Sequence, residues 1–123
     1  MKSAQKYVLS MLFAATAMAG THSAWAHAGL QSSTPAKDAE VAAAPKEITL
    51  QFNEKLEIAF SSAKLVASTG KEVITEKATL DAANPSVMKL AVPALSAGKY
   101  KVEYVGVGHD GHRRKGDYSF TVK

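Results

Sequence analysis

Five consecutive residues, Gly108-His109-Asp110-Gly111-His112, hold two imidazoles and a carboxylate. In extended backbone, residues i and i+2 project to the same side. Asp110 and His112 are therefore expected to converge on one point, with His109 turned away. Gly111 between them lets the chain bend without a side-chain clash. A further donor lies far upstream, in Ala24-Trp25-Ala26-His27. Ala24-x-Ala26 is a signal-peptidase cleavage pattern. Cleavage after Ala26 would make His27 the first residue, with a free α-amine and an imidazole on one residue, a ready bidentate chelate. The amine and ring of His27, the ring of His112 and a carboxylate oxygen of Asp110 then supply three nitrogens and one oxygen. In a roughly planar arrangement that set suits Cu(II), which also heads the divalent affinity order; zinc, which prefers a tetrahedron, is the main competitor. The amine, with an ordinary pKa of about 7.7–8.0, must lose a proton to bind, so affinity should fall with pH. Each piece also has a plainer reading: His27 as a frayed first residue, and residues 108–112 as a polar hairpin loop. Asp-x-His alone is a weak signal.

The elements that must position these residues follow a leader. Met1-Lys2 and Lys6 form a basic start, and Tyr7 to Ala19 is a thirteen-residue apolar run without a charge. Gly20 to Ala26 is a stretch of mostly small residues. Residues 1–26 are expected to be a cleaved signal peptide, too short and wrongly flanked for a membrane anchor. No second apolar run follows, so no stable membrane insertion is expected and export is. Residues 27–123 make one domain of 97 residues. They hold 13 Lys+Arg against 11 Asp+Glu, a net of +2, which gives no argument for nucleic acid. The only basic cluster, Arg113-Arg114-Lys115, is short enough to be a solvated turn. The absence of cysteine excludes thiolate metal sites, and leaves the domain to its apolar core for stability.

Alternation of period 2 dominates this domain. Ile48, Leu50 and Phe52 share one face against Glu47, Thr49, Gln51 and Asn53, the pattern of a half-wet antiparallel strand. Leu56, Ile58 and Phe60 continue the alternation. Ala63–Ala67 and Glu72–Thr75, joined by Ser68-Thr69-Gly70-Lys71, read as a hairpin. Asp81 and Asn84-Pro85 are turn chemistry. Met88, Leu90 and Val92 alternate again. Lys99 to Val107 is the longest strand, 108–116 a polar loop, and Tyr118, Phe120 and Val122 mark a last strand. Ala28 to Thr34 is extended, and Ala36 to Ala44 is a helical turn or loop ended by Pro45. About seven short strands and no convincing helix predict an all-β, Ig-like or cupredoxin-like sandwich. Its core is expected to hold Ile48, Leu50, Phe52, Leu65, Leu90, Val92, Tyr100, Val102, Tyr104, Phe120 and Val122.

In order and spacing, these pieces resemble the periplasmic copper-resistance protein CopC family over essentially residues 27–123. The resemblance runs through His27-Ala28-x-Leu30 with Ser32-Ser33-Thr34-Pro35, then Ala43-Ala44-Pro45 with Ile48-x-Leu50-x-Phe52-Asn53-Glu54. It continues in Leu95-Ser96-Ala97-Gly98-Lys99-Tyr100-x-Val102, Tyr104, Asp110-Gly111-His112 and Gly116-x-x-x-Phe120-x-Val122. The resemblance implies a seven-stranded Greek-key sandwich that binds Cu(II) through His27, Asp110 and His112. It implies a periplasmic copper carrier, and an inner-membrane CopD-type copper transporter as partner. Some family members also bind Cu(I) through a Met-rich loop; after residue 26 this chain has only Met88, which sits in a strand pattern as a core residue. Family members often have Trp where this chain has Tyr104, and Pro where it has Arg113.

Three functions compete on these residues. The first is a Cu(II) carrier or buffer acting in copper resistance or homeostasis, and not an enzyme. The second is a copper oxidase or monooxygenase of the histidine-brace kind, since a terminal His with a second His also makes that site. The third is a metal-free structural sandwich, because fold alone does not fix function.

Overall fold

The computed structural model describes residues 29–123; the leader and His27 lie outside the described residues. In chain order the strands are β1 (Leu30–Thr34), β2 (Glu40–Val41), β3 (Glu47–Phe52), β4 (Ser62–Ala67), β5 (Glu72–Val73), β6 (Thr79–Leu80), β7 (Val87–Ala91), β8 (Gly98–Val107) and β9 (Arg113–Val122). One sheet has the order β1-β3-β7-β6, the other β2-β9-β8-β4-β5. All pairings are antiparallel except β2 with β9. Successive strands repeatedly switch sheets, so neither sheet is a simple meander. The result is the expected β-sandwich, with three two-residue strands (β2, β5 and β6) beyond the longer ones the alternation marks.

The alternating residues supply the core. Ile48, Leu50 and Phe52 of β3 face Met88 and Leu90 of β7 and, from the second sheet, Leu65, Tyr100, Val102, Tyr118, Phe120 and Val122. Burying side chains of this size contributes roughly 1.5–3 kcal/mol each. Tyr100 and Phe120 stack at 5.8 Å, and the Tyr100 hydroxyl donates to the Ser96 carbonyl at 2.7 Å. Two expected core residues, Val92 and Tyr104, are only partly buried, being near the ends of their faces, while Leu56, Val107 and Tyr118 join the core.

Three local expectations are corrected. The alternation at Leu56, Ile58 and Phe60 does not continue as a strand. Leu56 is buried, but Ile58–Phe60 is a single 3-10 turn with Phe60 72% exposed. Its ends close on themselves, Phe60 N–H donating to the Glu57 carbonyl and Ser61 N–H to the Ile58 carbonyl. Residues 36–44, expected as a helical turn or loop, contain the short edge strand β2, laid parallel along β9. The polar loop is shorter than 108–116, because β9 begins at Arg113. The turn chemistry at Asp81 is present: its Oδ1 accepts the N–H groups of Ala83 at 2.8 Å and Asn84 at 3.2 Å.

Candidate metal centre

The loop that carries Asp110 and His112 joins the two longest strands. β8 and β9 pair without interruption from Gly98–Val122 to Val107–Arg113, so the hairpin delivers residues 108–112 to one end of the sandwich. Gly111 N–H closes a turn onto the Gly108 carbonyl at 3.0 Å, and Gly108 N–H meets the His112 carbonyl at 3.3 Å. Gly111 has φ +80, a left-handed conformation that glycine adopts without a Cβ penalty.

Asp110 and His112 do converge, though not by strand alternation. Asp110 Oδ1 accepts the His112 backbone N–H at 2.9 Å, a side-chain-closed turn over Gly111. Asp110 Oδ2 lies 2.9 Å from His112 Nδ1. The carboxylate thereby fixes the ring and leaves Nε2 free to meet an ion. The Asp110 carboxyl is held below the usual carboxylate value, first by the His112 backbone N–H; burial, next in size, opposes this, and the His112 ring and the Arg114 guanidinium add lesser lowering effects. It is thus ionised where a cation would need it. His112 is 70% exposed, so the pair is open to solvent. His109 is turned away, as expected, and its Nδ1 lies 2.6 Å from Glu57 Oε1.

The segment between β3 and β4 buttresses this loop. Leu56 forms a bridge with Gly108, His109 N–H donates to the Lys55 carbonyl at 3.3 Å, and Glu57 N–H donates to the Val107 carbonyl at 2.7 Å. That segment also brings Glu54, which the sequence reading did not assign to the site. A Cβ at position 108 would run into Glu54 Oε1 and stand 3.0 Å from Asp110 Oδ1. Two carboxylates therefore flank Gly108, and only glycine leaves them room. Glu54 Oε1 is shielded from solvent without a hydrogen-bond partner among the described residues, as is Arg114 Nε. A buried polar atom left in that state is costly unless something pairs with it. The sequence signals for Glu54 were its position two residues beyond Phe52, at the end of a strand, and its place in the Phe52-Asn53-Glu54 run that resembles the family.

Arg113, Arg114 and Lys115 are not a solvated turn. They begin β9, with Arg114 opposite Gly106 and Lys115 opposite Val105. Arg114 is partly buried and its flanking residues are exposed, so the strand's alternation splits the cluster between two faces.

Among the described residues no three His, Cys, Asp or Glu side chains form a metal-sized cluster. Asp110 and His112 supply two side chains of the donor set expected from the sequence; its third residue, His27, lies outside the described residues.

A model of the CopC domain matches residues 30–123. The chain belongs to the CopC family. Protein YobA of Escherichia coli K12 is 39% identical over 121 residues, covering 96% of this chain and 94% of that protein. Copper resistance protein C of Pseudomonas syringae pv. tomato is 41% identical over 106 residues, covering 81% of this chain and 83% of that protein. The solved structure of PcoC, a methionine-rich copper resistance protein from Escherichia coli, superposes with a TM-score of 0.71 at 38% identity, covering 80% of this chain and all of that one. Against that methionine-rich CopC relative, the single methionine among the described residues here, Met88, is fully buried between β3 and β6.

Proposed function

We propose that this CopC-family chain, once residues 1–26 are removed, holds one Cu(II) ion at the 108–112 end of the sandwich and serves as a periplasmic copper carrier or buffer. The observation that carries this reading is the Asp110–His112 clasp, an ionised carboxylate and an oriented imidazole 2.9 Å apart on a loop fixed at both ends. Relatives named as copper resistance proteins support the choice of ion. The donors are the amine and ring of His27, a ring nitrogen of His112 and a carboxylate oxygen of Asp110, which turns from His112 Nδ1 to the ion on binding. This N/O set favours Cu(II) over zinc by geometry and affinity order. Among the described residues the one thioether, Met88, is buried and offers no soft ligand to Cu(I), which supports reading the centre as a Cu(II) site. A carrier must release its ion, and the exposure of His112 suits hand-over to a partner, for which a CopD-type membrane transporter is the candidate.

Binding to the native state alone should raise stability by mass action. At one hundred times Kd that is about 2.7 kcal/mol, or a Tm rise on the order of 10 °C or more for a domain of this size. Thermal unfolding of processed protein with and without Cu(II) is the test. A Tm indifferent to Cu(II) would favour the metal-free sandwich.

A further inference from the structure

Both imidazoles of the loop have Nδ1 on a carboxylate. For His112 the partner is Asp110; for His109 it is Glu57, at 2.6 Å. A carboxylate on Nδ1 keeps the proton there, leaves the Nε2 lone pair facing outward and makes the ring a better ligand. Glu57 is itself anchored. Its N–H donates to the Val107 carbonyl, its carbonyl accepts the Ser61 hydroxyl at 2.8 Å, and Ser61 Oγ accepts Val107 N–H at 2.9 Å. The His109 backbone is tied to Lys55. The ring is thus aimed by fixed structure while remaining 60% exposed. An exposed pair of this kind adds only about 0–1 kcal/mol to stability, so folding alone gives little reason for it. Among the described residues no cluster of three metal-binding side chains surrounds it, so His109 does not form a full ligand set by itself.

We propose that His109, oriented by Glu57, is a second and weaker Cu(II)-ligating position that captures the ion from solvent and passes it to the centre at Asp110 and His112, one and three residues along the same loop. The proposal rests on the copper reading above. The transfer is ligand exchange: the bond to His109 Nε2 and those to the ion's waters break as the bonds to the final donors form, the displaced waters and the proton of the His27 amine go to solvent, and no electron moves.

The test uses processed, copper-free protein, with Cu(II) alone as the probe. Wild type should take a first equivalent, then a second whose electron paramagnetic resonance carries the coupling of a single imidazole. His109→Ala should abolish that second signal, leave the first-equivalent spectrum and affinity unchanged, and slow stopped-flow loading by about fivefold through loss of local capture. Glu57→Leu should weaken the second equivalent about tenfold by freeing the ring, whereas Glu57→Gln, whose carbonyl still accepts the Nδ1 proton, should retain most of it. A second equivalent and a loading rate unchanged in His109→Ala would overturn the proposal. So would loss of the first equivalent in that variant, which would make His109 part of the main centre. Failure of wild type to bind a first equivalent would instead sink the copper reading itself.

Discussion

Asp110 makes two contacts with one neighbour, accepting the His112 N–H and facing the His112 ring. Asp110→Ala removes a ligand and frees the ring of another, so Cu(II) affinity should fall by about 10–100-fold or more in a competition titration. Gly108→Ala tests the carboxylate crowding. Its methyl group collides with Glu54, so the loop or Glu54 must move, and both stability and copper affinity should drop, by about 1–3 kcal/mol for stability in urea unfolding. The Asp110–His112 pair was legible because the two residues sit two apart. Glu54 and Glu57 were not. They reach the loop only through pairing across half the chain, at Leu56 with Gly108, and no local pattern announces that meeting.

At the scale of elements, the β8–β9 hairpin and the 55–61 segment together present the loop. Phe52 links them to the core: its ring meets Tyr104 edge-on at 5.6 Å and lies over Gly106. A Cβ at 106 would stand 2.9 Å from that ring, so Gly106→Ala should cost about 1–3 kcal/mol by urea unfolding. The connection before β7 carries its own charge lock. Asp81, which lies 2.9 Å from Lys89, is held below its ordinary 3.8, first by the Lys89 ammonium and then by the Ala83 N–H. Because the folded value is lowered, its contribution is complete above 3.8 and is lost as pH falls through that lowered value. Carboxyl-carbon NMR should find the midpoint below 3.8 in the native protein, shifting upward in Lys89→Met. A midpoint at 3.8 or above would refute the lock. Period-2 alternation identified β3, β7, β8 and β9 because each buries one face. It failed at Ile58 and Phe60, where apolar residues keep the spacing but the chain turns back on itself. It also passed over β2, whose two residues are defined only by their partner β9.

At the scale of the whole molecule, the sandwich brings Asp110 and His112 to one end, and the proposed third ligand, His27, would be the first residue of a processed chain. The account makes cleavage after Ala26 a chemical step, since a peptide nitrogen at His27 lacks the free amine that the donor set requires. Affinity should decline below the amine pKa of about 7.7–8.0, because protons compete for that nitrogen. The most direct test is a Cu(II) titration followed by electron paramagnetic resonance, on protein beginning at His27 and on protein with one extra residue before it. The account predicts a tetragonal first-equivalent spectrum with three nitrogens in the first protein, and loss of that spectrum with sharply weaker binding in the second. Identical spectra and affinities in the two proteins would contradict it.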